Sequence, residues 1–430
     1  MPNRQGGTPA FNGNKLDKLA AIFRAEEQVS QLNGAEAGPG NLGQQPKLSI
    51  RSFTVANARV AVSPDSSFRL LSQALQSATR SLTVYVYNIS APYLIAILKA
   101  KVQAGIKVRV MVDTNDSGPD ELAALAKAGV EVRAAPSSGA RKVFTVCHQK
   151  YVVVDGKTLV LQSANWAASS IPQVKNFGDY RPGNREWLIR VDDSAVALWF
   201  EDLFQKDFDI PAAAGLKAFA EMLTLPSILL AAELFTPPGQ LFDILAATKP
   251  VNLLPLISPA NYLPEMVKAL KLAKKRILIQ QQYIQAGNGV NELLEVVHTK
   301  AATCEVRIIV SPKFPEAWQK TVKTLKAAGL DSKLRAQNLS HVIHCHNKGV
   351  VIDDDQVVVS STNWSENSIT RAREAGFLVR SKELTGYFAS VFDLDWTEGT
   401  APSHLVAKSV ELSSADLVGL PYPPLVLLCQ

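Results

Sequence analysis

The sequence predicts an α/β protein of two similar lobes, each a mixed, mostly parallel sheet flanked by helices, related by a pseudo-two-fold axis. Three observations carry this. A string occurs twice: His148-Gln-Lys150-Tyr-Val-Val-Val-Asp155 followed by Ser163-Ala-Asn165-Trp166, and His346-Asn-Lys348-Gly-Val-Val-Ile-Asp353 followed by Ser361-Thr-Asn363-Trp364. Around each copy, helical and strand patterns alternate, the signature of strands joined by crossover helices. The halves also keep a fixed spacing. Ser258-Pro259 follows Ser63-Pro64 by 195 residues and His346 follows His148 by 198, as duplication with a three-residue insertion would leave.

In chain order, residues 1–55 form an extension rich in Gly, Asn and Gln in which Leu16, Leu19, Ile22, Phe23 and Val29 fall near helical spacing, predicting one amphipathic helix. Residues 56–203 form the first lobe. Phe68, Leu71, Leu75 and Ala78 mark a helix face, Leu82–Tyr87 a strand, and Tyr93–Ala104 a helix closed at Gly105. The strand Val108–Val112 and a helix over Asp120–Ala128 follow. Val152–Val154 and Leu159–Leu161 flank Asp155-Gly156, which reads as a hairpin.

Residues 204–251 are apolar and helical in composition and form a linker. Residues 252–400 repeat the plan of the first lobe, and residues 401–430 are an apolar tail without periodicity. Two tandem copies can pack about a pseudo-two-fold axis, so the two motifs could meet at one site and a single chain could complete it.

Composition narrows the classes. Of 430 residues, 45 are Lys or Arg and 39 Asp or Glu, a formal charge of +6 that mildly favours anionic partners. Cys147, Cys304, Cys345 and Cys429 are too few for a disulfide scaffold and favour a reducing compartment. The N-terminus lacks the basic-then-apolar pattern of a secretory signal. The most apolar region, 222–257, is broken by Glu233, Asp243, Lys249 and five prolines, so no uncharged span of about 20 residues survives. A cytoplasmic or peripheral membrane location without a transmembrane segment is expected.

The repeated string reads as phosphate chemistry. Side chains alternate along a strand, so His148 and Lys150 share one face, as do His346 and Lys348, while Cys147 and Cys345 point away. An ammonium offsets phosphate charge, and an imidazole attacks phosphorus or moves a proton. Asn165 and Asn363, with Ser163 and Ser361, can donate to the phosphate oxygens. Two histidines with opposite starting protonation need neighbours that separate their titrations, and a carboxylate does this while fixing the tautomer. Glu186 and Glu374, in Asn-Arg-Glu and Ala-Arg-Glu, are the candidates, the alternative being a surface Arg–Glu pair in each half.

The two H-x-K-x4-D copies with their trailing Ser and Asn resemble the phospholipase D superfamily, over about residues 55–395. The resemblance implies a two-lobed fold with the motifs meeting between the lobes, a phosphohistidine intermediate, and neither cofactor nor metal. It maps the nucleophile to His148, the general acid to His346, and phosphate binding to Lys150, Lys348, Asn165 and Asn363. Asp155 and Asp353, at hairpin turns, take a supporting role.

The sequence departs from the pattern in two places. Gln162 and Ser360 stand before the motif serines, where glycine is usual. Asn165 to Glu186 spans ten residues more than Asn363 to Glu374, implying an insertion at about Ser170–Arg181 that shapes substrate access.

The expected activity is a phosphodiesterase hydrolysing or transferring a phosphodiester. The apolar linker and tail favour a phospholipid by a narrow margin. The alternative is a metal-independent nuclease, for which Trp166 and Trp364 could stack on bases, although tryptophans so placed are more often core anchors. A catalytically inactive phosphate-ligand binding protein is the second alternative. A zinc site on Cys147-His148 and His344-Cys345-His346 is disfavoured because adjacent strand residues face opposite ways. His341 and His344 read as polar residues near the site.

Overall fold

A computed structural model describes residues 42–113, 118–137, 142–210 and 236–401, all within one compact unit, Pro39–Gln430. The helix expected around Leu16–Val29, the apolar stretch at Ser227 and the tail beyond residue 401 lie outside the described residues.

The strands, in order, are β1 (Phe53–Val55), β2 (Ala58–Ser63), β3 (Ser81–Val86), β4 (Lys107–Val112), β5 (Glu131–Ala134), β6 (Lys150–Val154), β7 (Thr158–Gln162), β8 (Glu186–Asp192), β9 (Leu245–Ala246), β10 (Val251–Ser258), β11 (Arg276–Gln281), β12 (Glu305–Val310), β13 (Leu334–Ala336), β14 (Lys348–Ile352), β15 (Gln356–Ser360) and β16 (Glu374–Arg380). The helices are α1 (Ser67–Gln76), α2 (Pro92–Gln103), α3 (Pro119–Lys127), α4 (Ser194–Phe208), α5 (Tyr262–Lys271), α6 (Asn288–Lys300), α7 (Pro315–Ala327), α8 (Glu366–Thr370) and α9 (Lys382–Glu398).

Two eight-stranded sheets share one topology. The first runs β5-β4-β3-β6-β7-β8-β2-β9 and the second β13-β12-β11-β14-β15-β16-β10-β1. Both are mixed, but parallel pairing is confined to β3-β4-β5 and β11-β12-β13, which corrects the expectation of mostly parallel sheets. Parallel neighbours need a crossover, and α2 and α3 in the first lobe and α6 and α7 in the second supply it. The motif hairpins return directly and pair antiparallel, as do the strands beyond them.

The edge strands are exchanged between lobes. β1, ahead of the first lobe, pairs with β10 of the second sheet, while β9, just ahead of the second lobe, pairs with β2 of the first. Residues 241–247, expected to be helical from composition, are therefore extended. Phe242 is buried and its backbone N–H donates to Asp65 at 3.1 Å, so the segment is pinned where it covers an otherwise bare sheet edge.

Helices α1–α3 cover the outer face of the first sheet and α5–α8 that of the second, each over its own core. The inner faces meet, together with α4 and α9, in a shared core that includes Tyr85, Tyr151, Trp187 and Phe200 from one lobe and Leu278, Val351, Phe377 and Phe388 from the other. Trp187 stacks on Phe388 with ring centroids 4.5 Å apart. A Cβ at Gly349 would lie 2.3 Å from the Trp187 ring, so glycine stands where the first copy has Tyr151 because the lobes approach too closely for a side chain. No helix among the described residues is long and apolar enough to cross a membrane.

Candidate functional site

Each motif histidine lies on an extended segment just ahead of β6 or β14, and each segment is tied to the opposite lobe through the backbone. His148 N–H donates to Arg373 O at 2.8 Å, and Arg373 N–H to Val146 O at 2.8 Å. The mirror contacts are Arg185 N–H to His344 O at 2.8 Å and His346 N–H to Arg185 O at 3.2 Å. Alternation then places the cysteines on the far face. Cys147 joins the shared core and the Cys345 thiol faces Gln281 O at 3.6 Å.

The carboxylates cross between lobes. Glu374, on β16 of the second lobe, sits 2.9 Å from His148 Nδ1, which also faces Ser361 O at 3.1 Å. Glu186, on β8 of the first lobe, sits 2.6 Å from His346 Nδ1. Both glutamates are fully buried. The sequence assigned them to the histidines without saying which to which, and only the packing of the lobes decides it. With two acceptors around it, His148 Nδ1 carries the proton, leaving the Nε2 lone pair available.

Ser163 and Ser361, expected at the phosphate, serve the carboxylates instead. Ser163 Oγ donates to Glu186 at 2.6 Å and accepts from Trp187 N–H at 3.0 Å. Ser361 Oγ donates to Glu374 at 2.6 Å and accepts from Ala375 N–H at 3.0 Å. Each hydroxyl hydrogen is thus committed to a carboxylate oxygen in a buried position.

Lys150 and Lys348 are fully buried and each donates to the carbonyl of its own histidine, the first at 2.6 Å. The side-chain carbonyl oxygens of Asn165 and Asn363 are buried without a hydrogen-bond partner among the described residues. Asp155 and Asp353 lie apart from the histidines, at the hairpin turns. Asp155 accepts backbone N–H bonds from Thr79, Arg80 and Ser81, and Asp353 from Lys274, Lys275 and Arg276, and both adopt φ 55°. The tryptophans considered as stacking platforms are fully buried in the outer cores.

Sequence reasoning missed Asp207, Asp395, Tyr87 and Gln282. Arg185 pairs through two nitrogens with Asp395 on α9 (2.9 Å each), and Arg373 with Asp207 on α4 (2.8 and 2.6 Å). These buried pairs replace the surface Arg–Glu pairs considered above. Their signal was present: Asp395 follows Asp207 by 188 residues, the same offset that relates Arg373 to Arg185 and Glu374 to Glu186. Tyr87 packs edge-on against His148 with centroids 4.7 Å apart, and Gln282, its counterpart after β11, accepts from Lys348 at 3.5 Å. Those two differ in kind, so the repeat could not point to them.

A family model described as cardiolipin synthase, phospholipase D-like domain matches residues 71–208 and 266–396, one segment per lobe and more than half of the chain. The chain belongs to the phospholipase D superfamily.

Within this superfamily, the mitochondrial cardiolipin hydrolase of Xenopus tropicalis is 30% identical over 145 residues, 33% of this chain and 61% of that protein. The chain thus spans about 60% of the length of such relatives. Phospholipase D Z of Dictyostelium discoideum is 25% identical over 346 residues, 70% of this chain and 74% of that one. The crystal structure of phosphatidylserine synthase from Haemophilus influenzae Rd KW20 shares the fold, with a TM-score of 0.60 at 14% identity over 88% of this chain and 90% of that one.

The electrostatics of this phospholipase D-type site follow from burial. Burial pushes His148 down to about 4, with Glu374 opposing and Lys150 reinforcing the shift. It drives His346 well below the ordinary imidazole range, reinforced by Lys348, Lys150 and His148. Burial also lowers Lys348 to about 8, against the pull of Glu186 and Glu374, and raises Glu186, against Lys348 and Ser163. The charges of both lobes therefore act on one another, and at neutral pH both imidazoles are neutral beside two ammonium groups. An entering phosphodiester anion offsets those ammonium charges, which makes protonating an imidazole easier.

His344 is buried beside His346, ring centroids 5.8 Å apart, with its Nδ1 2.5 Å from Ser311 Oγ. His341 pairs with Glu398. Among the described residues, no group of three or more His, Cys, Asp or Glu side chains could hold a metal ion.

Proposed function

We propose that the protein hydrolyses a phosphodiester, or transfers it to another alcohol, through a covalent phosphohistidine, and that the substrate is a phospholipid. The observation that carries this reading is the pair of imidazoles whose Nδ1 atoms are each held by a glutamate of the opposite lobe, leaving both Nε2 atoms for chemistry.

In the first step, His346 having taken a proton from solvent onto Nε2 as the phosphodiester anion enters, His148 Nε2 attacks phosphorus. An N–P bond forms, the P–O bond to the leaving alcohol breaks, and the alcohol oxygen takes a proton from His346 Nε2. In the second step His346 Nε2, now neutral, takes a proton from water, whose oxygen attacks phosphorus. The N–P bond breaks, releasing a phosphomonoester and restoring His148; an alcohol in place of water gives transfer. Lys150, Lys348, Asn165 and Asn363 bind the phosphoryl oxygens. Ser163 and Ser361 hold the glutamates in place, and Glu374 balances the positive charge that His148 acquires on phosphorylation. Asp155 and Asp353 support the turns.

The lipid reading draws on the cardiolipin hydrolase and phospholipase D relatives. It is also favoured because Trp166 and Trp364, buried in the outer cores, present no face on which bases could stack. The expected partner surface is a membrane contacted peripherally. The test is a side-by-side assay on phosphatidylcholine and cardiolipin vesicles and on single- and double-stranded DNA, with His148→Ala as the blank and EDTA added in parallel. Lipid turnover that survives EDTA, vanishes in His148→Ala and leaves an acid-labile phosphoryl adduct on His148 is expected. Cleavage confined to DNA sinks the lipid reading. Ligand binding and a biological effect that persist unchanged in His148→Ala would favour the inactive binding protein.

A further inference from the structure

The ten-residue insertion in the first lobe grows out of the wall of the site. Its start is fixed: Ser63 Oγ donates to Ser170 O at 2.6 Å, Tyr93 OH donates to Ile171 O, and the Ser170 hydroxyl lies against Glu186. Its end is fixed as well. Asn184 N–H donates to Ser169 O at 2.7 Å, Asn184 Nδ2 to Ser170 Oγ at 3.0 Å, and Ile343 N–H of the second lobe to Gly183 O at 2.9 Å. Ile171 and Val174 are buried between these anchors.

At the tip the chain reverses in a built turn. Asp179 N–H donates to Asn176 O at 3.3 Å, Asn176 Nδ2 donates to the Asp179 carboxylate at 3.2 Å, and Gly178 takes φ +96°, which favours glycine. The turn holds Phe177 out in solvent at 47% exposure, although a phenylalanine gains most from burial. Residues 175–179 and Arg181 are all exposed. The Arg69 guanidinium, itself paired with Asp243, lies 5.6 Å from the ring centroid, Asn176 holds the Asp179 carboxylate, and the exposed Lys175 and Arg181 flank the turn in sequence. An exposed aromatic on a turn flanked by exposed Lys175 and Arg181 suits a surface that is apolar beneath and anionic above.

We infer that the Asn176–Asp179 turn is a membrane-contact element, which seats Phe177 in the interface of an anionic bilayer and sets Lys175 and Arg181 among its headgroups. It rests on the phospholipid reading, to which it adds the place where the enzyme meets its substrate surface. The second lobe keeps the short connection with α8 at the equivalent position, so contact is one-sided and orients the site against the bilayer.

The test uses the full chain and sedimentation with vesicles of phosphatidylcholine alone or mixed with phosphatidylglycerol. A soluble bis(p-nitrophenyl) phosphate assay, which needs no surface, reports the integrity of the site. Phe177→Ala is expected to lower partition about fivefold, since roughly half of the ring is available for burial. Phe177→Trp should restore it. Lys175→Glu with Arg181→Glu should lower partition only on the anionic vesicles, an effect that high salt should mimic in the wild type. Turnover of the soluble diester should stay at the wild-type rate in every variant.

Equal partition of wild type and Phe177→Ala overturns the inference. So does a loss of vesicle binding matched by an equal loss of soluble turnover, because the turn would then act through the site. If wild type cleaves only DNA yet its vesicle binding still depends on Phe177, the contact element stands and the lipid-substrate reading fails. If lipid is cleaved and Phe177→Ala binds normally, this inference alone fails.

Discussion

Replacing Glu374 with Gln separates the two half-reactions. His148 Nδ1–H lies between the Glu374 carboxylate at 2.9 Å and Ser361 O at 3.1 Å. Glutamine can still accept from Nδ1, so the ring stays in place, but the negative charge that balances the phosphorylated imidazole is gone. A hydrogen bond to a charged group is worth about 1.5–3 kcal/mol, so adduct formation should slow by roughly 10- to 150-fold.

Protonation does not produce this loss. Glu374 raises the His148 pKa, which lies at about 4, so removing its charge shifts the acid limb to lower pH and leaves the imidazole neutral at pH 7. The assay is the burst of p-nitrophenolate from an activated diester, whose leaving group needs no proton. Glu374→Gln should suppress the burst. Glu186→Gln, acting through His346, should leave it nearly intact while slowing turnover of an alkyl diester. A burst that falls equally in both variants, or more in Glu186→Gln, refutes the division of roles between the two histidines.

Three further outcomes are expected. Asp155→Ala loses three backbone N–H partners and places alanine at φ 55°, so it should destabilise the fold by about 1–3 kcal/mol in urea unfolding with kcat little changed, and Asp155→Asn should recover part of that. Breaking the buried pair in Asp207→Ala should cost about 3–5 kcal/mol, and Asp395→Ala a similar amount, whereas both would be near neutral if these pairs were solvated. Lys348, lowered by burial to about 8, is charged below that pH and neutral above it. KM for an anionic diester should therefore rise as pH passes 8, and a Lys348→Arg variant that still binds should lose that rise.

The duplicated string, its 198-residue offset and the alternation of helices with strands made the two α/β halves and the motif hairpins legible in the sequence. They depend on local periodicity and on spacing, both of which one chain records. The ten-residue insertion was legible in the same way, since the offset falls from 198 between the histidines to 188 between the glutamates.

What only the tertiary structure decided is which lobe serves which. Spacing is blind to the pairing of like elements, so it could not say that Glu374 reaches His148 while Glu186 reaches His346, or that β1 and β9 change sheets. Nor could it show that Ser163 and Ser361 face the carboxylates, because rotation about Cβ is set by the nearest buried acceptor. The crossing follows from burying two inner sheet faces against each other. That packing brings each motif's extended segment beside the strand end of the opposite lobe, where backbone bonds fix its position and the carboxylates meet the imidazoles.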